Sequence, residues 1–174
     1  MRVLKTVTFI YETREDRVLA AINAGLPEAW SCWLTRRVVL AMLERTADFV
    51  ANTSALAQRA PADLRRDFVA FERDAAIAST AKAMSNTPAD ILKSSVNAAV
   101  LAERLTISNH GDRFRLELHG QGEEGAAGIL TRAELQRVLQ MLQSVVAKTG
   151  WLAVPATPQA AAAAGATEAK PFRH

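Results

Sequence analysis

The feature that most constrains this chain is that it nearly repeats itself. Shifted by 96 positions, residues 9–53 align with residues 105–149 without a gap and with ten identities. The identities fall in clusters. Asp16 and Arg17 match Asp112 and Arg113, the run Leu34, Thr35, Arg36 matches Leu130, Thr131, Arg132, and Leu43, Val50, Ala51 and Thr53 match Leu139, Val146, Ala147 and Thr149. A self-match of this length calls for one supersecondary unit built twice.

The hydrophobic pattern repeats even where the letters differ. Phe9 and Tyr11 over Leu105 and Ile107, then Val18, Ala20 and Ile22 over Phe114, Leu116 and Leu118, alternate with the period of two expected of strands. After Thr35 and Thr131 the period becomes helical, with Val39, Met42, Leu43, Thr46 and Val50 over Leu135, Val138, Leu139, Leu142 and Val146. Each copy therefore reads strand, strand, strand, helix. The first turn, residues 13–16, aligns with NHGD at 109–112, and the second, AGLPE at 24–28, with GQGEE at 120–124. The expectation is an α+β fold made of a duplicated β-β-β-α unit with antiparallel strands and an intervening helical hairpin. It is a single domain over 1–151, with repeats at about 2–58 and 98–150 joined by a helix at about 61–84. Within that helix Leu64, Phe68, Phe71, Ala75 and Ala78 form one apolar stripe. Thr87 and Pro88 suit the start of a further helix, and residues 91–100 read equally as helix or strand. The Ala- and Pro-rich stretch 152–174 reads as a disordered tail.

The repeated Leu-Thr-Arg has a partly structural explanation. Thr35 and Thr131 are placed as helix N-caps, and Glu134 completes a capping box with Thr131. An arginine in the first helical turn opposes the helix dipole by about 0.3–1 kcal/mol, so it needs compensation. The expected source is an ion pair from Arg36 to Asp16 and from Arg132 to Asp112. The competing reading is that Arg36, Arg37 and Arg132 at the paired helix starts bind an anion.

The run DRVLAAINAGLPEAWSCWLTRR resembles a group of uncharacterised proteobacterial proteins with a strand pair followed by a Trp-Leu-Thr-Arg-Arg signature, and LTRAELQRVLQMLQSVVAKTGW is similar to the chain end in that group. The resemblance implies no activity. In element order alone the chain also resembles the head domains of end-joining scaffold and centriole-assembly proteins. Those continue into a long coiled coil, whereas here the last helix stops near Gly150 without sustained heptads.

Chemistry-bearing motifs are sparse. There is no Gly-rich phosphate loop, no G-x-S-x-G and no paired-cysteine spacing, and Cys32 with His110, His119 and His174 makes a poor ligand set. The reading is of no catalytic residues, no cofactor and no metal. His110 falls in a turn and His119 on an outward strand face without a partner, while Cys32 reads as a buried small hydrophobe. Trp30 and Trp33 point to opposite faces of one strand, so one of them is a candidate partner contact. The expected function is a non-catalytic interaction or adaptor protein, acting through a protein partner or as a homodimer. The second reading is a nucleic-acid-binding or regulatory module. It rests on an isoelectric point near 9.4, sixteen arginines against five lysines, Arg65 and Arg66 on a helix, and Arg113 and Arg115 on a strand face. No apolar run reaches membrane-helix length and the first residues lack a signal-peptide pattern, so the expected location is the cytoplasm.

Overall fold

The structure, a computed structural model, describes residues 1–80 and 88–152, without the side chains of Ala47, Arg66 and Thr80. The expected tail from 153 onward and the Thr87 cap lie outside these residues. The chain begins with the short strand β1 (Arg2–Val3), then β2 (Val7–Glu12), β3 (Arg17–Ile22), β4 (Trp30–Leu34) and helix α1 (Arg36–Asn52). Among the described residues three helices follow, α2 (Ala55–Arg59), α3 (Arg65–Thr80) and α4 (Ala89–Asn97). The order then recurs as β5 (Val100–Leu101), β6 (Arg104–His110), β7 (Arg113–His119), β8 (Gly125–Leu130) and α5 (Arg132–Val146). The fold is mixed α+β, and residues 91–100 divide between a helix and a strand.

The strands form two four-stranded sheets, a first of order β2-β3-β4-β5 and a second of order β1-β8-β7-β6. Each sheet takes three antiparallel strands from one half and borrows its fourth from the other. β5 lies parallel on β4, with Cys32 opposite Val100, and β1 lies parallel on β8, with Arg2 opposite Ala126. This exchange ties the halves together through backbone hydrogen bonds. Glycines in β8 make room for it, since a Cβ at Gly128 would stand 3.0 Å from the Leu4 Cβ.

The register refines the sequence alignment. Val18 faces Leu34 and Phe114 faces Leu130, so the β3–β4 and β7–β8 pairings match at a shift of 96. The first hairpins do not match at that shift. Glu12 pairs with Arg17 across a turn of four residues, whereas His110 pairs with Arg113 across a turn of two, Gly111 and Asp112. Structurally β2 therefore corresponds to β6 at a shift of 98, which sets Val7 on Leu105 and Phe9 on Ile107. Asn109 and His110 belong to the strand and not to the turn. The gapless alignment hid this slip of two because a shift of two leaves each side chain on its original face.

Asn23 fastens the first crossover. It is fully buried at φ 51, and its Oδ1 accepts from the Lys5 and Thr6 amides at 2.9 and 3.1 Å. Its Nδ2 donates to the Val3 carbonyl at 2.7 Å. The inner faces of both sheets and the apolar faces of α1 and α5 share one core that includes Leu34, Leu130, Val39, Leu135 and Trp30. Leu34 and Leu130 are buried at their strand ends, as expected.

The caps also follow the sequence. Thr35 accepts from the Val38 amide, and Thr131 with Glu134 forms a full capping box. α1 ends where Thr53 bonds back to the Phe49 and Val50 carbonyls, and buried Ser54 starts α2 by accepting from Ala57 at 3.0 Å. The intervening helices pack on different surfaces, α3 along α5 and α2, and α4 on β3 and β4 of the first sheet. The α3 stripe lies on the opposite side from that expected of a core. Ala76 is buried, with Val69 and Ile77 half-buried, whereas Leu64, Phe68, Phe71, Ala75 and Ala78 face outward.

Candidate interaction surfaces

The two repeated arginines find partners that the sequence did not indicate. Arg132, the first residue of α5, reaches the end of α1, donating to the Val50 carbonyl at 2.9 Å, the Thr53 carbonyl at 2.6 Å and Thr53 Oγ1 at 3.2 Å. Arg36, the first residue of α1, donates to the Trp151 carbonyl just beyond α5 at 2.8 Å. The helices thus lie antiparallel. Each arginine opposes its own helix dipole but sits at the negative end of the neighbouring one, which supplies the missing compensation. The expected ion pairs to Asp16 and Asp112 do not form among the described residues. Arg132 also stands over the Phe114 ring at 5.3 Å, and Phe114 meets Phe49 edge-on.

Asp16 has a different role. Its Oδ1 accepts from Trp151 Nε1 at 2.7 Å and from the Tyr11 hydroxyl at 2.8 Å, and Tyr11 meets Trp151 edge-on at 5.7 Å. The Trp151 and Tyr11 donors, with the nearby Arg36 charge, hold the Asp16 carboxyl below its usual range. The bond to Asp16 in turn raises the Tyr11 hydroxyl. This cluster docks the buried Trp151, and with it the end of α5, on the first half. The tryptophan gave no periodic signal because it stands alone after the helix.

The other candidates are scattered. Trp33 lies on the outer face of the first sheet opposite Leu19 and Leu101 and is half-buried, while Trp30 points into the core, so the pair does face opposite ways. Arg37 is exposed. Exposed Arg65 turns back to the Ala60 carbonyl at 3.4 Å, and the Arg66 side chain is outside the described set. The structure places Arg36 and Arg132 at opposite ends of the same antiparallel helix pair, so the two helix starts that were to pair with Arg37 around an anion are not brought together.

The outer faces of the two sheets contrast. In the first, Leu19, Ala21, Ser31 and Trp33 lie on the side where α4 packs, and Ser31 Oγ donates to the Ser95 carbonyl at 2.6 Å. The corresponding face of the second carries Arg104, Thr106, Arg113, Arg115, Glu117 and His119. Here His119 does have a partner, with its Nε2 3.3 Å from Glu117. Glu117 also accepts from Arg115 at 2.6 Å and Thr106 at 3.1 Å, and these donors, Arg115 foremost, depress its carboxyl. Cys32 is fully buried, and burial pushes its thiol up to about 12. Among the described residues no group of three or more His, Cys, Asp or Glu side chains is arranged to hold a metal ion. No helix among them is long and apolar enough to cross a membrane.

Among the described residues the largest apolar exposure along one element is on α3 and the residue that leads into it. Phe71 is 68% exposed, Phe68 38% and the preceding Leu64 42%. Because Val69, Ala76 and Ile77 are covered on the other side, α3 is apolar on two sides, and one of them faces outward. In comparison with known proteins, the chain matches no family model, no curated protein and no solved structure.

Proposed function

We propose that this is a non-catalytic interaction protein that pairs with a second copy of itself through the outer face of α3. The observation that carries the reading is the exposed line of Leu64, Phe68, Phe71, Ala75 and Ala78. Large side chains occupy the start of the line and alanines the end. A twofold axis near Phe71 would set the aromatic end of one copy against the alanine end of the other, and self-complementarity of this kind is what an isologous contact requires. The side chains most able to do chemistry support a non-catalytic reading, since Cys32 is sealed in the core and His119 is tied to Glu117.

Light scattering across a wide concentration range tests the proposal. The expected result is a monomer–dimer equilibrium that Phe71→Glu abolishes while Trp33→Ala leaves it in place. A wild-type chain that stays monomeric throughout, or a dimer indifferent to Phe71→Glu, would overturn it. A second reading, nucleic-acid binding, is favoured by the basic outer face of the second sheet, where Arg104 and Arg113 are exposed and form no ion pair among the described residues. Its test is salt dependence, because phosphate contacts weaken steeply as salt rises. Binding to single- or double-stranded DNA or RNA that is flat in salt, or unchanged by Arg113→Glu, would reject that reading.

A further inference from the structure

We infer that the groove between α1 and the free edge of β6 binds an extended, carboxylate-bearing peptide segment of another protein, which adds to the second sheet as a further strand. The groove has a volume of about 460 Å³. One wall is a single face of α1, made of Val38, Ala41, Met42, Arg45, Thr46 and Phe49, at the spacing expected of one helix side. The other wall is five consecutive residues, 103–107. A strand that presents a face contributes alternate residues, so consecutive lining means that the groove runs along the strand edge.

Among the described residues β6 ends the sheet, with β7 as its single strand neighbour, so the backbone groups on its other side meet no ladder there. An edge strand beside a helix is the arrangement in which an extended peptide adds by main-chain hydrogen bonds, with alternate side chains dropping into the groove. Phe49, Leu105 and Ile107, each half-buried, offer apolar contacts for them. Five residues of strand span about 16 Å, which suits four or five peptide residues. Arg45, Arg104 and Glu103 border the groove, and none forms an ion pair among the described residues. Two cations against one anion favour a peptide that carries a carboxylate.

The other half shows the same place closed. There α5 packs directly on the edge strand β2. At a shift of 96 the position of exposed Arg45 is taken by Met141, which packs against the core, while Thr46 and Leu142 are both buried. The open half keeps a charged side chain at the groove where the closed half places an apolar one. This site is independent of the outer face of α3, and peptide binding and self-association are read separately.

The test is selection from a displayed random peptide library against the full chain, followed by titration of the winning synthetic peptides. The expected winners alternate apolar residues, contain Asp or Glu, and slow amide hydrogen exchange in β6 when bound. Ala41→Trp, which fills the groove, and the double variant Arg45→Glu with Arg104→Glu, which changes exposed side chains only, should each weaken binding at least about tenfold, or 1.4 kcal/mol. Should Ala41→Trp fail to fold, the charge-reversed chain still decides. The inference is overturned by a library that yields no binder, by binders insensitive to the charge reversal, or by binders that leave β6 amides unprotected.

Discussion

Arg132→Ala should be far more damaging than Arg36→Ala, although the two arginines occupy the same position in the two halves. Removing the Arg132 guanidinium strips charged donors from the Val50 and Thr53 carbonyls, and Val50 is buried. Hydrogen bonds to charged groups contribute about 1.5–3 kcal/mol each, and the contact with Phe114 adds about 0.5–1 kcal/mol. Arg132 is half-buried, so water replaces part of what is lost. The expected cost is therefore about 2–4 kcal/mol, below the plain sum of these contributions. Arg36 makes one such bond and is exposed, which puts its loss at about 0.5–1.5 kcal/mol. Alanine suits a helix at least as well as arginine, so propensity does not account for either loss.

Urea denaturation measures both. With a slope of about 2 kcal/mol per molar, the Arg132→Ala midpoint should fall by about 1–2 M. Arg132→Lys separates two contributions. Lysine keeps a positive charge at the end of α1 but cannot fork between two carbonyls, so it should recover less than half of the loss if hydrogen-bond geometry dominates and most of it if charge on the dipole does. A cost for Arg132→Ala no larger than that for Arg36→Ala would refute the idea that the arginines staple the antiparallel helices, since the two differ in the number of carbonyls they hold.

Asn23→Ala should cost about 1–3 kcal/mol, because it removes the partner of the Lys5 and Thr6 amides and of the Val3 carbonyl in part-buried hydrogen bonds. Asn23→Gly, which accepts φ 51 without strain, isolates the hydrogen-bond loss. A change within about 0.5 kcal/mol in urea melts would refute this role. The Cys32 thiol should resist an aromatic disulfide reagent at pH 8 and react only as fast as the chain unfolds; rapid labelling of the folded chain would show that it is accessible. Because its folded pKa is raised from 9.0 to about 12, the stability it contributes is complete below pH 9 and declines between pH 9 and 12. Cys32→Ser should remove that part of the alkaline decline.

What the sequence exposes is what periodicity and capping can carry. The alternation through Val18, Ala20 and Ile22, the opposed Trp30 and Trp33, and the Thr35 and Thr131 caps each rest on several residues acting in register, and the structure has them as read. The crossover strands β1 and β5 are two residues long, too short for a pattern to show. The partners of Arg36 and Arg132 are backbone carbonyls 115 and 82 residues away along the chain, and a carbonyl carries no residue signature. In α3 the outward line of Leu64, Phe68 and Phe71 is larger than the covered set of Val69, Ala76 and Ile77, so a count of apolar residues favours the wrong side. Small side chains let α3 approach α5 closely, and that geometry becomes visible only once α5 is in place.

The two halves share an element order but have one connecting segment between them, and that asymmetry shapes the free surface. α3 covers α5 and α4 covers the outer face of the first sheet, so among the described residues α1 and the outer face of the second sheet have no equivalent cover. On the second sheet the residues match that exposure: Arg115 and Glu117 stand where the covered sheet has Leu19 and Ala21, and a charged face needs no further layer. Along α1 the residues match it only in part. Arg45 is charged and exposed, but the half-buried Phe49, Leu105 and Ile107 keep apolar surface beside a strand edge that is unpaired among the described residues. Soluble proteins ordinarily blunt such an edge with charge, proline or a covering element, and the closed half does so with Met141, Leu142 and a helix laid on β2. A change of exposed Arg45 to methionine would write the closed half's solution into the open one. The groove is therefore the surface where packing and solubility alone would have chosen different residues, and an extended segment bound along β6 accounts for both its apolar floor and its charged rim.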